Sequence, residues 1–276
     1  MRGASGSLRA ASTALDNKVE CVHRPPQSFR NQPVNDTSTM DLTKPVKGMI
    51  PFPPASEVFA SNELFLAEHL HPLFSIDASI INTAWSGKLH MLSPIESSEG
   101  LPGDLSVELG VHNPMLTTNW IGFKVEDGLY KLCGNPRYFF MHPDNSQVSE
   151  PLPGAREALR QHYEAQQASY NRSKDWYLKH GTIAKIDWDS TKPVCFVGQL
   201  GGMANGNHNW VTAVEYPVHV ERNEEGFHAA FPISPSGRRF HHVASVPGQN
   251  YRQYGADNIL MFYEPVEKLV LFTFDF

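Results

Sequence analysis

The chain has 276 residues, 41% of them hydrophobic, 19% charged and 11% aromatic, which is enough to bury a large core without disulfide or metal staples. Its 23 basic and 29 acidic residues give a net charge of −6, which argues against the basic surface of a general nucleic-acid binder. No window approaches the ~18 consecutive apolar residues of a membrane span, and the mean hydropathy of −0.36 reads as a soluble protein.

Residues 1 to 54 are rich in Ser, Thr, Ala, Asn and Pro and show neither helical nor strand periodicity. They read as a disordered tail or upstream extension, ahead of one α+β domain over residues 55 to 276. Residues 1 to 48 hold 7 basic and 4 acidic residues, a charge of +3, so the remainder carries 16 and 25, or −9. Arg2 and Arg9 with no acid before Asp16 fit a transit peptide. A tail, or a true start at Met40 or Met49, is the simpler account. The expected compartment is the cytoplasm, with an organelle as the alternative.

The first expected element is a short helix from Ser61 to His69, stopped by Pro72. A strand follows over Gly87 to Leu92. Leu105, Val107, Leu109 and Val111 alternate with polar or small residues, the period of a half-buried strand. Trp120 to Val125 and Leu129 to Cys133 flank Glu126-Asp127-Gly128, a hairpin signal, and Tyr138 to Met141 extends the pair into a meander. Between Ala155 and His180 there is no Gly or Pro, and Leu159, Tyr163, Gln166, Tyr170 and Tyr177 recur at helical spacing. Gly181 after Lys179-His180 ends that helix, with basic residues at the negative end of the dipole. Its stripe is aromatic and partly polar, which suits packing on a sheet.

The C-terminal third returns to strands: Val194 to Leu200, Val214 to Glu221 with Pro217 marking an edge, Phe227 to Ile233, and Phe240 to Val246. Ile259 to Tyr263 and Leu269 to Asp275 flank Glu264-Pro265-Val266-Glu267 as a closing hairpin. About a dozen short strands, mainly antiparallel, with one long helix define an α+β fold.

Three features invite a functional reading. Gly198 to Trp210 follows a strand and holds Gln199, Asn205, Asn207, His208 and Trp210 among four glycines and a third asparagine. Such a loop makes a pocket wall, although its spacing matches neither a P-loop nor a dinucleotide fingerprint. Arg238-Arg239 and Tyr251-Arg252 suit a carboxylate, a phosphate or an acidic loop, because guanidinium groups bond bidentately. Thirteen histidines raise the question of metal. His69 and His71 share a face only if extended, and His241 and His242 point oppositely on a strand, so no metal site is expected. Cys21, Cys133 and Cys195 form no framework, and Cys195 reads as a buried, inert thiol.

The leading expectation is a non-catalytic recognition protein, for example a neutraliser of a toxin or enzyme. Its binding residues would be Gln199, Asn205, Asn207, His208, Trp210, Arg238, Arg239, Tyr251 and Arg252. Its partner would be a protein, and a basic one by charge steering, with no nucleic acid, membrane or cofactor involved. The rivals are a hydrolase, with His208, His241 and Tyr251 as catalytic candidates beside Asn207 and Arg239, and a small-ligand carrier.

Overall fold

A computed structural model describes residues 41 to 222, 226 and 228 to 276; the tail expected at the N-terminus lies, up to residue 40, outside them. The fold is α+β, mainly antiparallel sheet with one long helix. Strand β1 is Met49–Pro51, β2 is Leu70–Asp77 and β3 is Lys88–Pro94; they pair in the order β1-β2-β3. Next come β4 (Leu116–Thr117), β5 (Trp120–Glu126), β6 (Leu129–Leu132), helix α1 (Ala155–His180), β7 (Ile183–Ala184) and β8 (Pro193–Val194). The C-terminal part adds β9 (Gln199–Leu200), β10 (Ala204–Asn205), β11 (Val218–Arg222), β12 (His228–Pro232), β13 (His241–Val246), β14 (Asn258–Glu264) and β15 (Leu269–Asp275).

The central sheet runs β4-β5-β15-β14-β13-β9, with β6 also on β5, and every pairing is antiparallel. Both of its faces are covered. Ile259, Met261 and Tyr263 of β14 with Val270, Phe272 and Phe274 of β15 pack towards β2, β3 and α1. Leu260, Phe262 and Leu271 pack oppositely, with Trp120, Trp210 and Phe240, towards the small sheet β10-β12-β11. Burial on two sides explains why Leu269–Asp275 reads Leu-Val-Leu-Phe-Thr-Phe-Asp rather than as an alternation.

Local chemistry sets the connections. Asp127 (φ 51°) and Gly128 (φ 80°) both adopt left-handed geometry between β5 and β6, as a two-residue turn of this twist requires. In the closing hairpin the Glu264 carboxylate accepts the Val266 and Glu267 amides and so builds the turn. Gly181 (φ 68°) ends α1, its N–H bonding Tyr177 O. Strand β11 is an edge, as Pro217 indicates.

Five expectations are corrected. The fold begins before residue 55: β1 pairs with β2, and Leu42, Met49 and Phe52 lie in the core. Residues Asp104–Leu109 form a 3-10 segment between left-handed Gly103 and Gly110, so the Leu105 to Val111 alternation is not a strand. Tyr138 to Met141 is not a strand either; Pro136–Tyr138 is a 3-10 turn, and the next amides bond a carboxylate instead of a ladder. Cys195 is buried but is disulfide-bonded, not an inert thiol. The helix expected over Ser61 to His69 is a 3-10 segment, Ser61–Glu68. The turn expected before Phe227 lies mostly outside the described residues.

Candidate functional site

The residues expected in one site fall into separate places. In the 198–210 segment Asn207, His208 and Asn209 form an exposed tip, and Gly198 and Gly202 are exposed apart from it. Gln199 turns inward and donates to Gly201 O (2.9 Å) and Met203 O (3.0 Å). Asn205 accepts from Asn207 N through its side chain and from Trp210 Nε1 through its carbonyl. Trp210 is core, set against Trp120 and Phe262. The chain terminus staples the tip: Asp275 Oδ2 lies 2.7 Å from His208 Nδ1, its other oxygen accepts Trp210 N, and Asn209 bonds Phe276. Replacing Asp275 by Ala is expected to cost about 1–3 kcal/mol in urea unfolding, because it leaves the buried Trp210 amide unpaired.

Arg238 and Arg239 lie elsewhere, after the Ser234 to Gly237 turn. Arg239 donates to Glu221 Oε1 (3.1 Å) and covers the Phe231 ring, and His241 meets Trp85 edge-on. Burial, with Arg239 next in weight, pushes the His241 imidazole below its usual range. Tyr251 belongs to neither group. It is wholly buried and donates its hydroxyl to Phe196 O (2.9 Å). The fold therefore does not gather His208, His241 and Tyr251, and these three expected catalytic candidates share no constellation.

What the fold does assemble is a small, partly open cleft between α1, the 184–188 segment and the 249–253 turn. Helical spacing puts Ser169 and Ser173 on one face of α1, and both line the cleft. Opposite them stands Asp187, which the Arg172 guanidinium grips with both oxygens (2.6 and 3.0 Å). That grip, helped by the Ser169 hydroxyl, holds Asp187 below the usual carboxylate range. Ser169 Oγ in turn accepts Gln253 N (2.8 Å), which ties the turn to the helix. Trp188 is 54% exposed at the margin, and Tyr254, next in the chain to the lining residue Gln253, is 55% exposed.

Arg252 links the cleft to a buried polar chain behind it. Its side chain lines the cleft at 6% exposure, while its guanidinium reaches His71 Nδ1 (3.3 Å) and Pro94 O. The His71 tautomer follows from the network. Gln167 Nε2 donates to Asn171, so its Oε1 accepts from His71 Nε2–H (3.1 Å), and Nδ1 is left to accept from Arg252. The His71 ring stacks on Tyr170 at 4.3 Å. Burial, reinforced by Arg252, pushes His71 down to about 3.

A parallel chain starts at Glu96, whose carboxylate accepts Phe140 N (2.8 Å), Met141 N (2.9 Å) and the Tyr163 hydroxyl (2.7 Å). With the phenol proton committed there, His69 Nδ1–H donates to Tyr163 Oη (3.0 Å). Burial pushes His69 down to about 3 and Glu96 upward. Each of these histidines thus has a ring nitrogen committed to a side-chain hydrogen bond. Among the described residues, no three His, Cys, Asp or Glu side chains converge on a metal position.

Of the expected binding residues, only Tyr251 and Arg252 line the cleft. Ser169, Ser173, Lys185, Asp187 and Trp188 were not anticipated. One signal was present: Gln166, Ser169 and Ser173 are polar yet sit among the buried positions of α1 with Leu159 and Tyr170. Polar residues on the packed face of a helix call for polar partners.

Among the described residues, no helix is long and apolar enough to cross a membrane. Comparison with protein-family models, curated proteins and solved structures finds no match.

Proposed function

We propose that this is a non-catalytic recognition protein, which binds a macromolecular partner through the face carrying the cleft. The observation that carries the reading is the pairing of a polar-lined recess with two half-exposed aromatic side chains, Trp188 and Tyr254. Exposed Trp and Tyr beside a recess are the composition of binding hot spots, since they bury large area at small entropic cost. The recess encloses about 10 Å³, room for about one water. That is smaller than the ~300–1,000 Å³ of small-molecule sites and counts against a carrier. The −9 charge of residues 49 to 276 favours, at long range, a partner that is basic overall.

The test is stoichiometric partner capture by the full chain. Trp188→Ala is expected to weaken capture at least tenfold, about 1.4 kcal/mol, with the circular dichroism unchanged. Equal capture by the variant, or no stoichiometric partner at all, defeats the reading.

A hydrolase remains the second reading, favoured by His208. Its side chain is 47% exposed, and its Nδ1 is oriented by Asp275 at 2.7 Å, the arrangement of a general base. No hydroxyl or thiol among the described residues bonds its Nε2, so a nucleophile would have to be water. Hydrolysis of a chromogenic ester that His208→Gln abolishes would favour this reading.

A further inference from the structure

We propose that the cleft seats an oxyanion, a carboxylate or phosphoryl group of the partner, against Ser173, Lys185 and Arg252. This rests on the recognition reading and names the chemistry of the group that enters.

The first support is a set of donors without acceptors. Ser173 lines the cleft at 3% exposure, and its Oγ has no hydrogen-bond partner among the described residues. The same holds for Nε of Arg252, which also lines the cleft. Trp176 Nε1, one position-triplet further along α1, is a third buried group of this kind. A buried donor left unpaired costs about 1–3 kcal/mol. Each of these groups carries a hydrogen to give, so the complement they call for is an acceptor-rich group.

The second support is charge. Arg252 is buried, and both of its bonding partners, the His71 imidazole and the Pro94 carbonyl, are neutral. Desolvation pushes its guanidinium down to about 10, which leaves it cationic at neutral pH. The carboxylate in the cleft wall, Asp187, is already bound by Arg172. Lys185 and Arg252 therefore give the cleft a local positive sign in a chain body of −9. At physiological ionic strength the Debye length is about 8 Å, so contacts inside the cleft outweigh the distant surface charge. A cationic occupant would meet both groups and satisfy none of the orphan donors.

The third support is size: the recess encloses about 10 Å³, room for one water-sized group, which a single oxygen of a carboxylate or phosphoryl group matches.

The test titrates the full chain with inorganic phosphate and, separately, with sodium acetate. Sodium chloride serves as the ionic-strength control, and tryptophan fluorescence from Trp188 is the readout. Saturable change with phosphate alone assigns a phosphoryl group; saturable change with acetate assigns a carboxylate. Ser173→Ala should weaken binding about fivefold, the equivalent of one neutral hydrogen bond. Lys185→Gln should weaken it at least as much and flatten its salt dependence, while Lys88→Gln, at the one exposed position of β3, leaves it unchanged. No saturable change with either anion, or equal binding by the Ser173 and Lys185 variants, overturns the proposal. The two readings fail separately. Loss of partner capture in Trp188→Ala without anion binding removes only the oxyanion, whereas unaltered capture removes the recognition face itself.

Discussion

Lowering the pH from about 7.5 to about 5 is expected to weaken the fold by about 4 kcal/mol, a loss dominated by two buried imidazoles. His69 and His71 each have a folded-state value of about 3 because burial disfavours the charged ring, against about 6.5 in the unfolded chain. Their sign is that of a lowered basic group. Stability is fully present above the unfolded value and is lost as pH falls, because the unfolded chain takes up protons that the folded one refuses. Each contributes about 1.4 kcal/mol per pH unit below 6.5, hence about 2 kcal/mol by pH 5. His90 acts in the same direction, burial lowering it between Ser75 and Gly128 O. Glu96 opposes them. Its folded value is raised, so it adds stability as pH falls towards the ordinary carboxylate range. Urea midpoints across this range provide the measurement. His69→Gln and His71→Gln should each remove roughly half of the slope. A midpoint independent of pH would refute neutral burial of the pair.

Glu96→Ala is expected to lower the unfolding free energy by about 4 kcal/mol, since it strands two buried amides and one phenol. The Phe140 and Met141 amides have no ladder to join, and the carboxylate is their acceptor. The same side chain fixes Tyr163, so its loss frees the α1 face that leads on to Ser169 and Ser173. Glu96→Gln should lose about half as much, because one carboxylate oxygen becomes an NH₂ facing a donor. Hydrogen exchange at the two amides supplies a local readout. Continued slow exchange there in Glu96→Ala would show that the carboxylate is not what holds the segment.

Elements whose signals are short-range were legible. Asp127-Gly128 specifies its turn because left-handed geometry is a property of those two residues. The ends of α1 were legible because Gly181 and the basic last turn act within a few residues. The Leu105 to Val111 alternation misled because Gly103 and Gly110, both left-handed, bend that stretch into a 3-10 segment. Tyr138 to Met141 misled because its acceptor, Glu96, stands more than forty residues upstream.

The cleft was the least legible part, and the reason is distance along the chain. Arg252 meets His71 across 181 residues, and Gln253 meets Ser169 across 84. In the sequence Ser173 falls on the stripe of Leu159, Gln166 and Tyr170, but nothing there names the partners of Ser169 or Ser173. Only packing shows that one hydroxyl has a partner and the other has none.

Hydrophobic run length, turn residues and helix punctuation thus settled the class of fold and most of its strands, because each acts over a few bonds. Tertiary structure alone decided which polar groups were taken out of water together, since desolvation and hydrogen bonding depend on neighbours that the order of residues does not name. His208, Arg239 and Tyr251 were dispersed by that packing, while Ser173, Lys185 and Arg252 were brought to one recess.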